Sequence, residues 1–331
     1  MKVLAGDIGG TKTLLGIYEK GPAGWIRHAE QNSPSRSAAS LDDLVDAFVR
    51  AHPIPFEAAC LGIAGPVQGN RVKATNLPWN VDGAEIARRI NTPAISLIND
   101  FAAQTLGVLE IGADELVALN PDAAPLDAGA PAAAIGAGTG LGEAILARVG
   151  TRPVAISTEG GHCDFAPRNE IEIDLLRHLQ KRFGRVSYER ILSGPGLANV
   201  YRFLKESGAH PEDAALRDAI AGAPDPSPLI SRAAIEDNDP LASRALELFV
   251  TIYGAEAGNL ALRAIARGGV FVTGGIAAKI LPRLRTGEFL RAFIDKGRLS
   301  SLVATFPVFV VLNPNTGLLG AAAEATRIAE G

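Results

Sequence analysis

The segment Gly6-Asp7-Ile8-Gly9-Gly10-Thr11-Lys12-Thr13 concentrates groups suited to a polyphosphate. Glycine amides and a threonine hydroxyl can cradle phosphate oxygens. A carboxylate beside them, here Asp7, can hold Mg²⁺ through water. The spacing nearly matches a P-loop, with Thr11 where the second glycine belongs. A P-loop must run into a helix so that free amides meet the phosphates. Here the apolar, strand-like Lys12–Tyr18 follows. The pattern therefore predicts a β-hairpin in which Gly9 and Gly10 supply positive φ. An ordinary glycine hairpin fits the same residues.

A second glycine turn, Gly136-Ala137-Gly138-Thr139-Gly140-Leu141-Gly142, lies between the apolar Ala132–Ile135 and Glu143–Arg148. A dinucleotide fingerprint needs a helix after its glycines, and the extended pattern of Glu143–Arg148 opposes one. A third turn, Thr273-Gly274-Gly275-Ile276, joins a strand to a helix; its glycines suit a flat ring or a generic connection equally. Asn99-Asp100 ends an apolar strand and precedes a helical pattern. Asp100 there is either a helix N-cap or a general base at the carboxyl end of a parallel strand, where ligands bind. Glu159-Gly160-Gly161-His162 sets two polar side chains around two glycines, either as a ligand contact or as a solvated turn. Glu189, in Ser187-Tyr188-Glu189-Arg190, is either a surface carboxylate or a further ligand group. Asn76-Leu77-Pro78-Trp79 is a polar loop open to both roles.

Strands and helices must alternate to position these turns. Lys2–Gly6, Lys12–Tyr18, Ala58–Ala64, Ala94–Ile98, Ala132–Ile135, Glu143–Arg148, Gly269–Val272 and Val308–Leu312 read as strands. Leu41–Ala51, Val81–Ile90, Phe101–Val108, Glu170–Phe183 and Ile276–Leu284 read as helices, and helical patterns fill most of Leu197–Arg267. That alternation predicts an α/β class with parallel pairing. The strand–glycine turn–strand pattern occurs twice, suggesting two related halves whose turns face a shared cleft.

The chain has 331 residues and a net charge of −4, which argues against a non-specific nucleic-acid binder. An apolar content of 47% provides ample core. The two cysteines, Cys60 and Cys163, exclude a disulfide scaffold or a four-cysteine metal site and fit a reducing cytosol. No secretory signal is read at the start. The uncharged run Leu302–Ala323 is broken by Pro307 and Pro314, so it reads as strand, turn and Ala-rich helix rather than as a membrane span.

Taken in order, GDIGGT at Gly6–Thr11, TNLPW at Thr75–Trp79, INDF at Ile98–Phe101, GAGTGLG at Gly136–Gly142, EGGHCDFAP at Glu159–Pro167, ERILSGPGL at Glu189–Leu197 and VTGGI at Val272–Ile276 resemble the bacterial glucokinases. These belong to the actin-like, hexokinase-related sugar kinase superfamily. The resemblance implies a two-domain actin-like ATPase (ribonuclease H-like) fold with an interdomain cleft. The expected division is residues 1–110 plus 315–331 in a small domain and 111–314 in a large one. It implies ATP-dependent phosphorylation of glucose at the 6-hydroxyl, with Asp100 as base. Asn99, Glu159, His162 and Glu189 would hydrogen-bond the other sugar hydroxyls. Gly6, Asp7, Ile8, Gly9, Gly10 and Thr11 with Gly138, Thr139 and Gly140 would embrace the ATP phosphates, and Gly274 and Gly275 would border the adenosine. Mg²⁺ would arrive with ATP near Asp7, with no structural metal. A cytoplasmic homodimer without nucleic-acid or membrane partners is expected.

Two features bear on the branch. Lys12-Thr13 resembles the repressor/kinase (ROK) sugar kinases, but their zinc-binding cysteine cluster is not matched, since only Cys163 follows His162. No added helix-turn-helix is read, which weakens a repressor. The competing readings are a ROK-like kinase for another hexose or an N-acetylated amino sugar, a non-enzymatic sugar or nucleotide sensor, and an NAD-dependent oxidoreductase.

Overall fold

The computed structural model describes residues 1–208 and 210–331. Contacts divide them into two compact units. One is Met1–Glu115 with Leu146–Ser157 and Asn313–Gly331; the other is Leu116–Ile145 with Thr158–Leu312. The first thus takes in Leu146–Ser157, which the sequence-based division left with the second.

The first unit opens with β1 (Lys2–Ile8), β2 (Lys12–Gly21) and β3 (Gly24–Pro34), an antiparallel meander. Helix α1 (Leu41–Ala51) buries Leu41, Val45 and Phe48 along one face. Its N-cap Ser40 accepts from the Asp43 amide. Strand β4 (Ala58–Ile63) is buried throughout, as a central parallel strand must be. Then come the short β5 (Val67–Gln68), β6 (Arg71–Lys73) and β7 (Asn80–Asp82), which form their own three-stranded sheet. Helix α2 (Gly83–Arg89), β8 (Ile95–Asn99) and α3 (Asp100–Gly107) follow. The main sheet runs β3-β2-β1-β4-β8, with β1, β4 and β8 parallel.

In the six-stranded sheet the order is β12-β11-β10-β13-β14-β9. Its strands are β9 (Leu116–Ala118), β10 (Ala132–Ala137), β11 (Leu141–Val149), β12 (Arg152–Thr158), β13 (Val270–Thr273) and β14 (Val308–Val311). Strands β10, β13 and β14 are parallel, and β9 adds an antiparallel edge. Helices α4 (Glu170–Phe183), α5 (Gly194–Ser207), α6 (Ala214–Ala221), α7 (Ser227–Arg232) and the 25-residue α8 (Pro240–Ala264) come between β12 and β13. They resolve the helical stretch expected over Leu197–Arg267, with Ala209 outside the described residues. Buried Leu246, Phe249, Tyr253 and Leu260 of α8 run through the core of the second unit. The short α9 (Gly274–Ala277), α10 (Leu281–Leu284), α11 (Glu288–Ile294) and α12 (Ser300–Val303) lead to β14. The final α13 (Thr316–Glu330) returns to the first unit, packing Leu318, Ala321, Ala322 and Ala325 on Val3, Ala5, Cys60 and Ala103. Among the described residues, no helix is long and apolar enough to cross a membrane.

The two main sheets repeat one connection order. In each, a three-strand meander is followed by two parallel strands on the far side of its first strand. The strand–turn–strand echo in the sequence is thus matched in topology. The helix expected over Val81–Ile90 begins only at Gly83, because Asn80–Asp82 pairs with β6 and Asp82 caps α2.

Strand β8 lies at the sheet edge, and Asn70 stands in for a further strand. Its Oδ1 accepts from the Leu97 amide at 2.7 Å and its Nδ2 donates to the Ile95 carbonyl at 3.2 Å. Asn70→Ala leaves both partners short of a bond, so unfolding in urea should show a loss of about 1–3 kcal/mol. An unchanged midpoint would show that water replaces the side chain without cost.

Candidate active site

In the first unit the parallel strands β1, β4 and β8 end at one edge, since Ile8 pairs with Ile63 and Ile63 with Asn99. That edge therefore collects the Gly9–Thr11 turn and the Asn99-Asp100 pair. Gly6 and Ile8 lie buried within β1, so of the predicted phosphate segment only Gly9, Gly10 and Thr11 form the turn. Gly9 donates to the Lys12 carbonyl at 2.9 Å. Ser35 supports the turn from beneath, its hydroxyl donating to the Gly9 carbonyl at 2.7 Å. The expectation of positive φ at Gly9 and Gly10 is corrected: neither is among the left-handed glycines. What Gly10 provides is closeness, because a Cβ there would lie 2.7 Å from the Cβ of Asn76. The Asn76 loop, ambiguous in the sequence, is thereby seated on the first turn.

Asp7 is partly buried near the end of β1. A Cβ on Gly317, in the first turn of α13, would sit 3.3 Å from Asp7 Oδ2. Burial, then the Asp100 carboxylate, pushes the Asp7 carboxyl up to about 6, with Lys12 opposing. A carboxyl so placed fits a water-bridged divalent cation, whose charge would relieve the repulsion.

The N-cap of α3 is Asn99, not Asp100. Asn99 Oδ1 accepts from the amides of Phe101 at 3.0 Å and Ala102 at 3.1 Å, and its Nδ2 donates to the Gly65 carbonyl at 3.3 Å. Asp100 is the first helical residue, and its Oδ1 accepts from the Phe101 amide at 2.9 Å. The capping role offered to the aspartate thus falls to the asparagine. That leaves one Asn99 amide hydrogen beyond these bonds.

In the second unit β10 pairs in parallel with β13 up to Gly136 and Thr273. The Gly138–Gly140 turn and Gly274 consequently lie side by side. Gly138 donates to the Gly140 carbonyl at 2.8 Å and accepts from Gly194 of α5 at 2.8 Å. Thr139 is exposed. Gly274 has φ +85°, and a Cβ on it would meet the Ala137 carbonyl at 2.6 Å; a Cβ on Gly275 would face open space.

The remaining three candidates also gather in this unit. Glu189 Oε2 accepts from the Leu141 amide at 3.0 Å, joining its 3-10 turn to the glycine turn. His162 lies 3.9 Å from both Glu159 and Glu189, beyond a direct hydrogen bond. His162 thus stands between the two carboxylates. His162 and Glu159 are more than half exposed, whereas Glu189 is partly buried. The glycines between Glu159 and His162 let the loop lie on β11. A Cβ on Gly161 would fall 2.2 Å from the Leu141 carbonyl, and one on Gly160 would fall 2.1 Å from Glu143 Oε2.

Sequence reasoning passed over two buried acids under that loop, Glu143 on β11 and Glu256 on α8, which share the exposed Arg263 of α8. Their signal was available, since Glu256 interrupts the small, apolar run Tyr253–Gly258 and Glu143 sits among Leu141, Ala144 and Leu146. Among the described residues, no three His, Cys, Asp or Glu side chains gather as a metal site. A groove of about 580 Å³ beside β6, lined by residues including Arg71, Lys73, Asn80 and Asp82, contains none of the predicted site residues.

A glucokinase family profile matches residues 4–328. The glucokinase of Synechocystis sp. is 43% identical over 98% of both chains, and that of Nostoc sp. is 41% identical over 98% of this chain and 99% of its own. Among solved structures, glucokinase from an Antarctic psychrotroph superposes with a TM-score of 0.84 at 30% identity, over 98% of this chain and 99% of its own. A Streptomyces griseus ROK-family glucokinase, solved with glucose and AMPPNP, shares the fold at a TM-score of 0.67 and 24% identity, covering 99% of this chain and 100% of its own.

The raised Asp7 carboxyl makes stability depend on pH. The folded chain holds this proton more tightly than the unfolded one, so the contribution is complete below about pH 4 and is lost as pH rises through about 6. Asp7→Asn should therefore gain about 1–3 kcal/mol over the parent at pH 8 and little at pH 4. Thermal unfolding of the ligand-free protein checks this, and equal differences at both pH values would refute it.

Proposed function

The chain belongs to the glucokinase family, and on that premise we propose that it transfers the γ-phosphoryl group of ATP to the 6-hydroxyl of D-glucose, with Asp100 as general base. The observation that carries the base assignment is the division of labour at the start of α3. Asn99 takes the cap and Asp100 stands beside it at the carboxyl end of a parallel strand.

A hexose carries no charge, so its recognition rests on hydrogen bonds. Glu159 and Glu189 supply carboxylate acceptors, His162 an imidazole and Asn99 its remaining amide hydrogen. An epimer would leave one of these groups unpaired, which is the source of selectivity. The amides and hydroxyls of Gly9–Thr11 and Gly138–Gly140 bind the phosphates of ATP, and Gly275, with open space beside it, lets the adenosine approach the backbone. Mg²⁺ bound with ATP near Asp7 supplies charge neutralisation on the phosphate oxygens. Asp100 accepts the proton of the 6-hydroxyl as its oxygen bonds to phosphorus and the bond to the leaving ADP oxygen breaks.

Asp100→Asn should keep glucose affinity while lowering kcat by about 10²–10⁴-fold. A coupled ATP-dependent assay measures it, and near-normal turnover would remove Asp100 from the base role. Glu159→Gln should raise the KM for glucose with a smaller effect on kcat, since the interaction it loses is present in both ground and transition states. Unchanged affinity by calorimetry would place Glu159 outside the sugar site.

A further inference from the structure

The side chain of Glu143 is 1% exposed, and neither of its carboxyl oxygens has a hydrogen-bond partner among the described residues. A buried carboxyl without donors is costly as an anion and tolerable as a neutral acid. What lies against it is the main chain of Gly160, the residue between Glu159 and His162. Thr158 ties the same strand to the same loop. Its hydroxyl donates to the Glu143 carbonyl at 2.8 Å and accepts from the Gly160 amide at 3.1 Å.

We propose that Glu143 is a positioning residue for sugar recognition, its carboxyl group seating the loop that carries Glu159 and His162, so that a negative charge on Glu143 unseats it. The proposal rests on the hexose reading of that loop.

The electrostatic surroundings decide which acid stays neutral. From α8 come Glu256, Arg263 and Tyr253. Arg263 Nη1 is 2.9 Å from Glu256 Oε1 but 3.6 Å from Glu143 Oε2, so one cation serves two carboxyls unequally. Glu256 also accepts from Asn259 Nδ2 at 2.8 Å. Tyr188 faces the Glu256 side of the group, and Lys296, itself near Arg168, lies beyond it. The loop adds Glu159, His162 and Cys163, the last within electrostatic reach of Arg263. Burial first and Glu256 second push the Glu143 carboxyl up to about 8, against the pull of Arg263. The contact with Arg263 resembles a salt bridge by distance, but at 3.6 Å and shared with Glu256 it does not offset the other two effects.

Near neutrality Glu143 therefore holds its proton and the loop rests on an uncharged group. Above about pH 8 the proton leaves, and the anion must reach water or a donor. Strand β11 and α8 are fixed in the core, while the loop is exposed at Glu159 and His162. The loop is the part that yields.

The test compares the parent protein with Glu143→Gln between about pH 6.5 and 9.5. If only the neutral form binds, the parent's KM for glucose should rise about tenfold between pH 7 and 9, with a smaller change in kcat. Glu143→Gln should hold its KM flat over that range. Glu256→Gln, which removes the like charge, should move the parent's break to lower pH. Hydrogen exchange at Gly160–Cys163 in the ligand-free parent, corrected for intrinsic rates, should accelerate above about pH 8. That readout needs the parent alone, so it stands even where Glu143→Gln fails to fold. Parallel KM profiles in parent and variant, or identical loop protection at pH 7 and 9 in the parent, would overturn the proposal. Absence of glucose phosphorylation together with pH-dependent loop exchange would remove the hexose reading and retain the positioning role.

Discussion

Two backbone amides at the start of α3 determine what the carboxylate beside them is available to do. Every helix begins with donors that lack partners. Here Asn99 meets those of Phe101 and Ala102 from outside the helix. Asp100 also meets the Phe101 amide through its Oδ1, but from inside the first turn rather than from the cap position. With the cap one residue earlier, Asp100 becomes the first helical residue at the carboxyl edge of a parallel sheet. The orientation depends in turn on β8, and β8 depends on Asn70 holding its open side. The chain of support runs from one asparagine side chain through an edge strand to one acid.

The second unit meets a different constraint. Its loop carrying Glu159 and His162 is pressed so closely on β11 that glycine is required at Gly160 and Gly161. Close approach of that kind normally brings an apolar floor. Here the floor contains Glu143, with the buried Glu256 of α8 sharing its Arg263 contact. Glu256 is met by Arg263 and Asn259, whereas Glu143 has no hydrogen-bond partner among the described residues, so burying its carboxyl costs stability. The presence of Glu143 beneath the Glu159–His162 loop is therefore explained by the proposed positioning role rather than by stability.

Much of the framework was legible because its signals are local. The Leu41–Ala51 and Glu170–Phe183 helices carry apolar residues at helical spacing and polar caps at Ser40 and Asn169, and both form with the expected bounds. The buried β4 and β10 are continuous apolar runs ended by glycine. Less legible were β3 and β12, whose burial alternates irregularly and whose pairing depends on the meander they join. The role of Gly10 was misread for a related reason. A glycine chosen for close approach has the same letter as one chosen for positive φ, and only the neighbour it meets, here Asn76, tells them apart. The Asn99 cap was hidden by the adjacent Asp100, an equally good capping residue by type.

The repeated topology sharpens the meaning of one difference between the units. Both sheets begin with a hairpin whose turn is built from glycine and threonine, and both follow it with two parallel strands. Aligning Asp7-Ile8-Gly9-Gly10-Thr11 with Gly136-Ala137-Gly138-Thr139-Gly140 puts Gly136 opposite Asp7. The scaffold therefore does not require an acid at that strand end, since the second unit forms the same hairpin without one. An acid is a poor neighbour for phosphate unless a cation stands between them. The proposed phosphate role therefore asks for a cation beside the first turn and for none beside the second.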